Sequence, residues 1–67
     1  MKNTIKVERA KRNITQAELA EKAKVSRQTI NAIELGKFIP STLLALKIAR
    51  IFGTTVEQLF ILEPQDE

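Results

Sequence analysis

Between Gln16 and Ile33 the run QAELAEKAKVSRQTINAI carries apolar residues at Leu19, Ala23, Val25, Ile30 and Ile33, in two short amphipathic stretches. Leu19 and Ala23 share one helical face, and Ile30 and Ile33 share another. Val25 falls between them in a link too short for anything but a tight turn. The pattern predicts two helices meeting at a steep angle, a helix-turn-helix. Ala20 sits where the two axes approach most closely, because a larger side chain there would push the second helix away.

A chain of 67 residues supports one domain, and a domain of that size buries only about 60% of its unfolded surface. With three Phe and neither Trp nor Tyr, the core must be built from Ile, Leu, Val and Ala on helices. There is no cysteine, which removes disulfides, zinc knuckles and thiol chemistry and is compatible with a reducing cytosol. No apolar run approaches the roughly 18 residues of a spanning helix, and the start of the chain lacks a signal-peptide block, so a cytoplasmic location is expected. Catalysis is not expected either. The chain has no histidine, no Gly-rich phosphate loop and no carboxylate set spaced for acid–base work or a metal, and Ser26 and Ser41 are better placed as helix caps than as nucleophiles. Neither cofactor nor metal follows from this composition.

The net charge of +3 hides an asymmetry. Residues 1–50 hold all eleven Lys and Arg against Glu8, Glu18, Glu21 and Glu34, a balance of +7, whereas Glu57, Glu63, Asp66 and Glu67 give the last seventeen residues −4. A nucleic-acid surface would therefore belong to the first fifty residues. An ordinary solvated surface is the other reading of the same excess.

Punctuation divides the chain into five helical segments, with no long alternating run to suggest a strand, so the fold class is all-α. The first helix runs from about Thr4 to Arg12 and closes at Asn13. Thr15 and Glu18 form a capping box that opens the second helix at Gln16. Ser26 caps the third, from Arg27 to about Leu35, and Gly36 supplies its C′ position. Leu35, off the Ile stripe, reads as a partial core contact. Pro40 keeps Ile39 out of helical geometry, Ser41 caps the longest helix, and Leu44, Ala45, Ile48, Ala49 and Phe52 form its buried face up to Gly53. Thr55-Val56-Glu57-Gln58 reads as a second capping box, opening a short fifth helix that ends near Leu59. Phe60, Ile61 and Leu62 extend an apolar run that fits core, a short strand or a subunit contact. The domain thus covers residues 1–62, and 63–67 form an acidic, flexible tail.

Burying Ile30 and Ile33 leaves Arg27, Gln28 and Asn31 facing outward near the start of the third helix. Arg pairs in a bidentate manner with guanine, and Gln and Asn with adenine, so these are base-reading types. They are equally ordinary on any solvated helix, and only their place in the helix-turn-helix favours readout. Gln16, first in its helix, lies where free amides and the helix dipole attract an anion. Lys37, in the following loop, is a second phosphate candidate. Arg9 and Glu34 suit a bidentate ion pair tying the first helix to the end of the third.

The segment QAELAEKAKVSRQTINAIELGK, with the Pro-Ser that opens the fourth helix, closely resembles the lambda-repressor-like, Cro/Xre-type helix-turn-helix family, and the likeness spans nearly the whole chain. It is most similar to the short stand-alone regulators of bacteria, archaea and phage. The resemblance implies a compact five-helix fold and a DNA-binding transcriptional regulator. It also implies that Gln16 touches the DNA backbone, that Arg27, Gln28 and Asn31 face the major groove, that Ser26 and Thr29 lie beside the phosphates, and that Arg9 and Glu34 form the family's interhelical pair. Two residues depart from it: Lys24 stands at a turn position commonly glycine, and Glu8 where many relatives carry leucine.

A single recognition helix contacts about half a site, so a homodimer on an inverted repeat is expected, with Phe60, Ile61 and Leu62 as its interface. Repression by blocking polymerase is the expected mechanism. The competing function is a protein-interaction module, such as an antitoxin-like partner, in which DNA binding is secondary or lost.

Overall fold

The computed structural model describes residues 1–67. In chain order the elements are β1 (Lys2–Asn3), α1 (Ile5–Arg12), α2 (Gln16–Ala23), α3 (Arg27–Glu34), α4 (Thr42–Phe52), α5 (Val56–Leu59) and β2 (Phe60–Ile61), followed by a 3-10 turn over Pro64–Asp66. None of the helices is long and apolar enough to cross a membrane.

Local chemistry sets most of these limits. The Thr15 hydroxyl accepts from the Glu18 amide at 3.0 Å while the Glu18 carboxylate accepts from the Thr15 amide at 2.9 Å, satisfying two N-terminal donors of α2 reciprocally. Ser26 and Ser41 cap α3 and α4 through the amides of Thr29 and Leu44, each at 3.1 Å. At the other ends Asn13, Lys24 and Gly53 enter left-handed geometry at φ of 59°, 60° and 68°. The amides that follow them return to carbonyls inside the helix, as Val25 N–H does to Ala20 O at 3.0 Å.

Ile5, Leu19, Ile30, Ile33, Ile48 and Leu59 are fully buried at the centre. Each such side chain contributes roughly 1.5–3 kcal/mol by leaving water. Ala20 and Ala23 of α2 are buried with them, where small side chains let α2 pack against both α3 and α4. Leu44, Ala45, Ile48, Ala49 and Phe52 make the buried face of α4.

Arg12 then ties α1 to the end of α4. Its guanidinium donates to the Phe52 carbonyl and lies over the Phe52 ring, 5.0 Å from its centroid. Glu8 steadies Arg12 and Lys11 at 2.8 and 3.3 Å, and those hydrogen bonds hold its carboxyl below the usual range.

The structure departs from the sequence reading in five places. A two-residue strand at the start of the chain pairs antiparallel with β2, Lys2 opposite Ile61 and Asn3 opposite Phe60. Asn3 extends this tie, its Oδ1 accepting from the Ile5 amide at 3.2 Å and its Nδ2 donating to the Ile33 carbonyl at 2.9 Å. The second capping box is only half made. Thr55 accepts from Gln58 N–H, but the Gln58 side chain takes the Thr54 hydroxyl at 2.7 Å instead of reaching back. Leu35 is 59% exposed, because as the C-cap of α3 it leaves the Ile30–Ile33 face. Phe60 is 8% exposed and belongs to the core, since strand pairing turns it inward. Residues 63–67, expected to be free, fold into the 3-10 turn and bring Glu63 and Asp66 to the Met1 ammonium at 3.1 and 2.9 Å.

Candidate nucleic-acid interface

The candidate surface is built on α2 and α3, which make the most extensive helix–helix contact in the molecule. Ile30 and Ile33 anchor one face of α3 in the core, and that anchorage fixes the rotation of the helix. Arg27, Gln28 and Asn31 therefore emerge as exposed side chains on its opposite face, while Thr29 is half-buried beside the cap. Ser26 Oγ and Thr29 Oγ1 lie 2.8 Å apart, so the two hydroxyls form one polar point at the start of the helix. Lys37 follows in the exposed loop, its backbone N–H donating to Ala32 O at 2.9 Å.

Behind this face Arg9 grips Glu34 as a fork, Nε to Oε2 at 2.6 Å and Nη2 to Oε1 at 3.0 Å, and its remaining guanidinium nitrogen donates to the Ile14 carbonyl at 3.1 Å. The Glu34 hydrogen bonds hold the Arg9 pKa above its ordinary value. Three segments meet at one guanidinium: α1 through Arg9, the link before α2 through Ile14, and α3 through Glu34.

Gln16 occupies the space between this ion pair and the reading face. Its Nε2 donates to Glu34 Oε1 and to Asn31 Oδ1, each at 3.1 Å, and its Oε1 accepts from Arg27 Nη1 at 3.4 Å. Three of the residues singled out separately in the sequence are thus joined to a fourth in one hydrogen-bonded set. Sequence reasoning missed the connection, for Gln16 and Asn31 lie on different helices and no local spacing relates them. In front of Gln16 an open hollow of about 410 Å³ is lined by Arg9, Asn13, Thr15, Ala17 and Arg27 among others. The first amides of α2 have no intrahelical acceptor, so this hollow combines free N–H donors with a guanidinium and suits an anion.

Not all the positive charge lies here. Lys22, Lys24, Lys47 and Arg50 gather around a separate hollow between α2 and α4. Phe60, Ile61 and Leu62 lie outside the reading face. Phe60 is internal, while Ile61 and Leu62 are 45% and 62% exposed. Ile39, Leu43 and Leu46 are also exposed, and Ile39 and Leu46 border an apolar hollow of about 310 Å³ that reaches Met1, Val56 and Phe60.

Comparison with known proteins gives the family. A family model described as helix-turn-helix matches residues 5–59. An uncharacterized HTH-type transcriptional regulator of Methanocaldococcus jannaschii is 54% identical over 66 residues, covering 98% of this chain and 100% of that protein. Another of Archaeoglobus fulgidus is 47% identical over 66 residues, covering 98% and 93%. A third, of Bacillus subtilis, is 46% identical over 66 residues, covering 98% and 100%.

Proposed function

The chain belongs to the helix-turn-helix family of the Cro/Xre type, and from that premise we propose that it is a sequence-specific regulator of transcription that binds double-stranded DNA as a homodimer. The observation that carries this reading is the outward face of α3, where Arg27, Gln28 and Asn31 stand exposed on a helix locked in rotation by Ile30 and Ile33. Helix α3 enters the major groove with these three side chains at the base edges. The first α2 amides, the Gln16 N–H among them, the Ser26–Thr29 hydroxyl pair and Lys37 take the flanking phosphates, which set register and affinity and carry little sequence information. Arg9 and Glu34 hold the helices that present this surface and touch no DNA.

A second copy supplies the other half-site, about one helical turn away on an inverted repeat. Ile61 and Leu62 form the subunit contact together with the exposed apolar side chains of Ile39, Leu43 and Leu46, all outside the reading face. The dimer acts in the cytoplasm as a repressor, occupying promoter DNA and excluding polymerase.

Selection of bound duplexes from a random library tests this directly. An enriched inverted repeat that keeps its advantage over a scrambled duplex near physiological salt is the expected result. Salt-sensitive binding without enrichment would turn the reading toward a protein partner.

A further inference from the structure

We propose that Glu34, acting through Gln16, fixes which end of the Asn31 amide faces DNA, so that Asn31 turns its Nδ2 donors outward toward the bases. The inference rests on the DNA-binding reading above. An isolated Asn or Gln amide has two nearly equivalent ends, a donor nitrogen and an acceptor oxygen, and can present either. Here two charged neighbours remove the choice for Gln16. One end lies 3.1 Å from Glu34 Oε1, and an ionised carboxylate only accepts. The other lies 3.4 Å from Arg27 Nη1, and a guanidinium only donates. One orientation satisfies both, with Nε2 toward Glu34 and Oε1 toward Arg27; the reverse sets acceptor against acceptor and donor against donor. Glu34 cannot turn away to relax the constraint, because Arg9 holds both of its oxygens.

The second hydrogen of Gln16 Nε2 then points at Asn31, 3.1 Å away, which must answer with Oδ1. The Asn31 Nδ2 is left outward on an exposed residue. Asparagine commonly meets adenine with both ends of its amide, accepting from N6 and donating to N7. With Nδ2 turned outward and one Oδ1 lone pair given to Gln16, Asn31 favours edges that offer acceptors, guanine O6 and N7, thymine O4 or adenine N7, over the amino edge of cytosine. Exposed Gln28 has no charged pair orienting its amide in this way and serves as the internal comparison. Gln16 and Glu34 are thereby positioning residues for base choice.

The test is selection from a random duplex library with the wild type and with Asn31→Ala, Asn31→Asp and Gln16→Ala. Asn31→Ala locates the base by losing preference at one position of the half-site. There the wild type is expected to favour guanine, thymine or adenine by about tenfold over cytosine, the scale of one discriminating hydrogen bond. Asn31→Asp keeps an acceptor for Gln16 and turns an oxygen outward, so the preferred base switches to cytosine. Gln16→Ala frees the Asn31 amide to flip, and the position admits cytosine; loss of a phosphate contact alone would weaken all sequences equally.

A wild-type preference for cytosine at that position overturns the proposal, as does an Asn31→Asp variant that keeps the wild-type base. If Asn31→Asp binds no duplex, Gln16→Ala decides alone, and an unchanged preference in it overturns the proposal. A wild type that enriches no sequence overturns the DNA-binding reading itself and this inference with it.

Discussion

Arg9 and Glu34 meet through two parallel hydrogen bonds, 2.6 and 3.0 Å long, with the Glu34 side chain only 7% exposed. Such a pair is a structural commitment: its net worth against apolar isosteres is small, but either charge left alone is costly. Arg9→Met should therefore lower stability by about 2 kcal/mol, less than for a fully enclosed pair because Arg9 keeps an edge toward solvent. Adding Glu34→Leu should recover part of the loss. Urea melts of the single and double variants check this, and strictly additive losses would remove the pair from the account.

Lys24 ends α2 at φ 60°, where a side chain with a Cβ costs on the order of 1 kcal/mol. Lys24→Gly is expected to raise the melting temperature by several degrees without abolishing DNA binding, about 4–8 °C for each kcal/mol in a domain of this size. Asn13 adopts nearly the same geometry, at φ 59°, but asparagine tolerates it better, so Asn13→Gly should gain less. A lower melting temperature in Lys24→Gly would contradict the strain.

Ile61 and Leu62 are exposed while Phe60 is internal, so the proposed subunit contact can be tested apart from folding. Replacing Ile61 and Leu62 with lysine should convert the dimer to monomer in sedimentation at micromolar concentration, keep the helical circular dichroism and weaken operator binding. Phe60→Ala should instead cost about 3 kcal/mol of stability through the cavity it leaves. A sedimenting dimer in the double-lysine variant would move the interface elsewhere.

Phosphate and base contacts differ in how they respond to salt. Lys37→Ala should weaken all duplexes alike and flatten the plot of log affinity against log salt by about 0.9 per lost phosphate contact. Arg27→Ala and Gln28→Ala should each relax one base position at a cost of about 1–3 kcal/mol in discrimination. Titrations over a range of salt with cognate and single-substituted duplexes distinguish the two classes.

The Thr15 amide and hydroxyl hold the Glu18 carboxyl below its ordinary pKa of 4.5, so folding favours the ionised form. That contribution is complete above the unfolded value and fades as pH falls through 4.5 and on through the lower folded value. Melting temperatures measured downward from pH 6 should drop less steeply in Glu18→Gln than in the wild type. Parallel curves would mean that the capping box carries no proton linkage.

Much of this was legible because its causes are local. Thr15, Ser26 and Ser41 cap their helices through amides three residues ahead, and the α4 face from Leu44 to Phe52 follows from helical spacing. The same rotation argument that sent Ile30 and Ile33 inward brought Arg27, Gln28 and Asn31 out. Where a side chain had two possible partners, the local rule failed. Gln58 fits the capping box by position, yet the Thr54 hydroxyl takes its oxygen, and nothing in the spacing distinguishes the two arrangements.

By itself, then, the sequence determined where α1 to α5 begin and end and which faces they bury, since caps, left-handed closures and a 3.6-residue period act over a few neighbouring residues. Only the tertiary structure decided the rest. Lys2–Asn3 and Phe60–Ile61 are each too short to carry an alternating pattern and become strands by finding one another from opposite ends of the chain. That pairing turned Phe60 inward and left Ile61 at the surface. Likewise the junction of Arg9, Glu34, Gln16 and Asn31 draws on three helices, and the direction of each hydrogen bond in it depends on charges brought together only by folding.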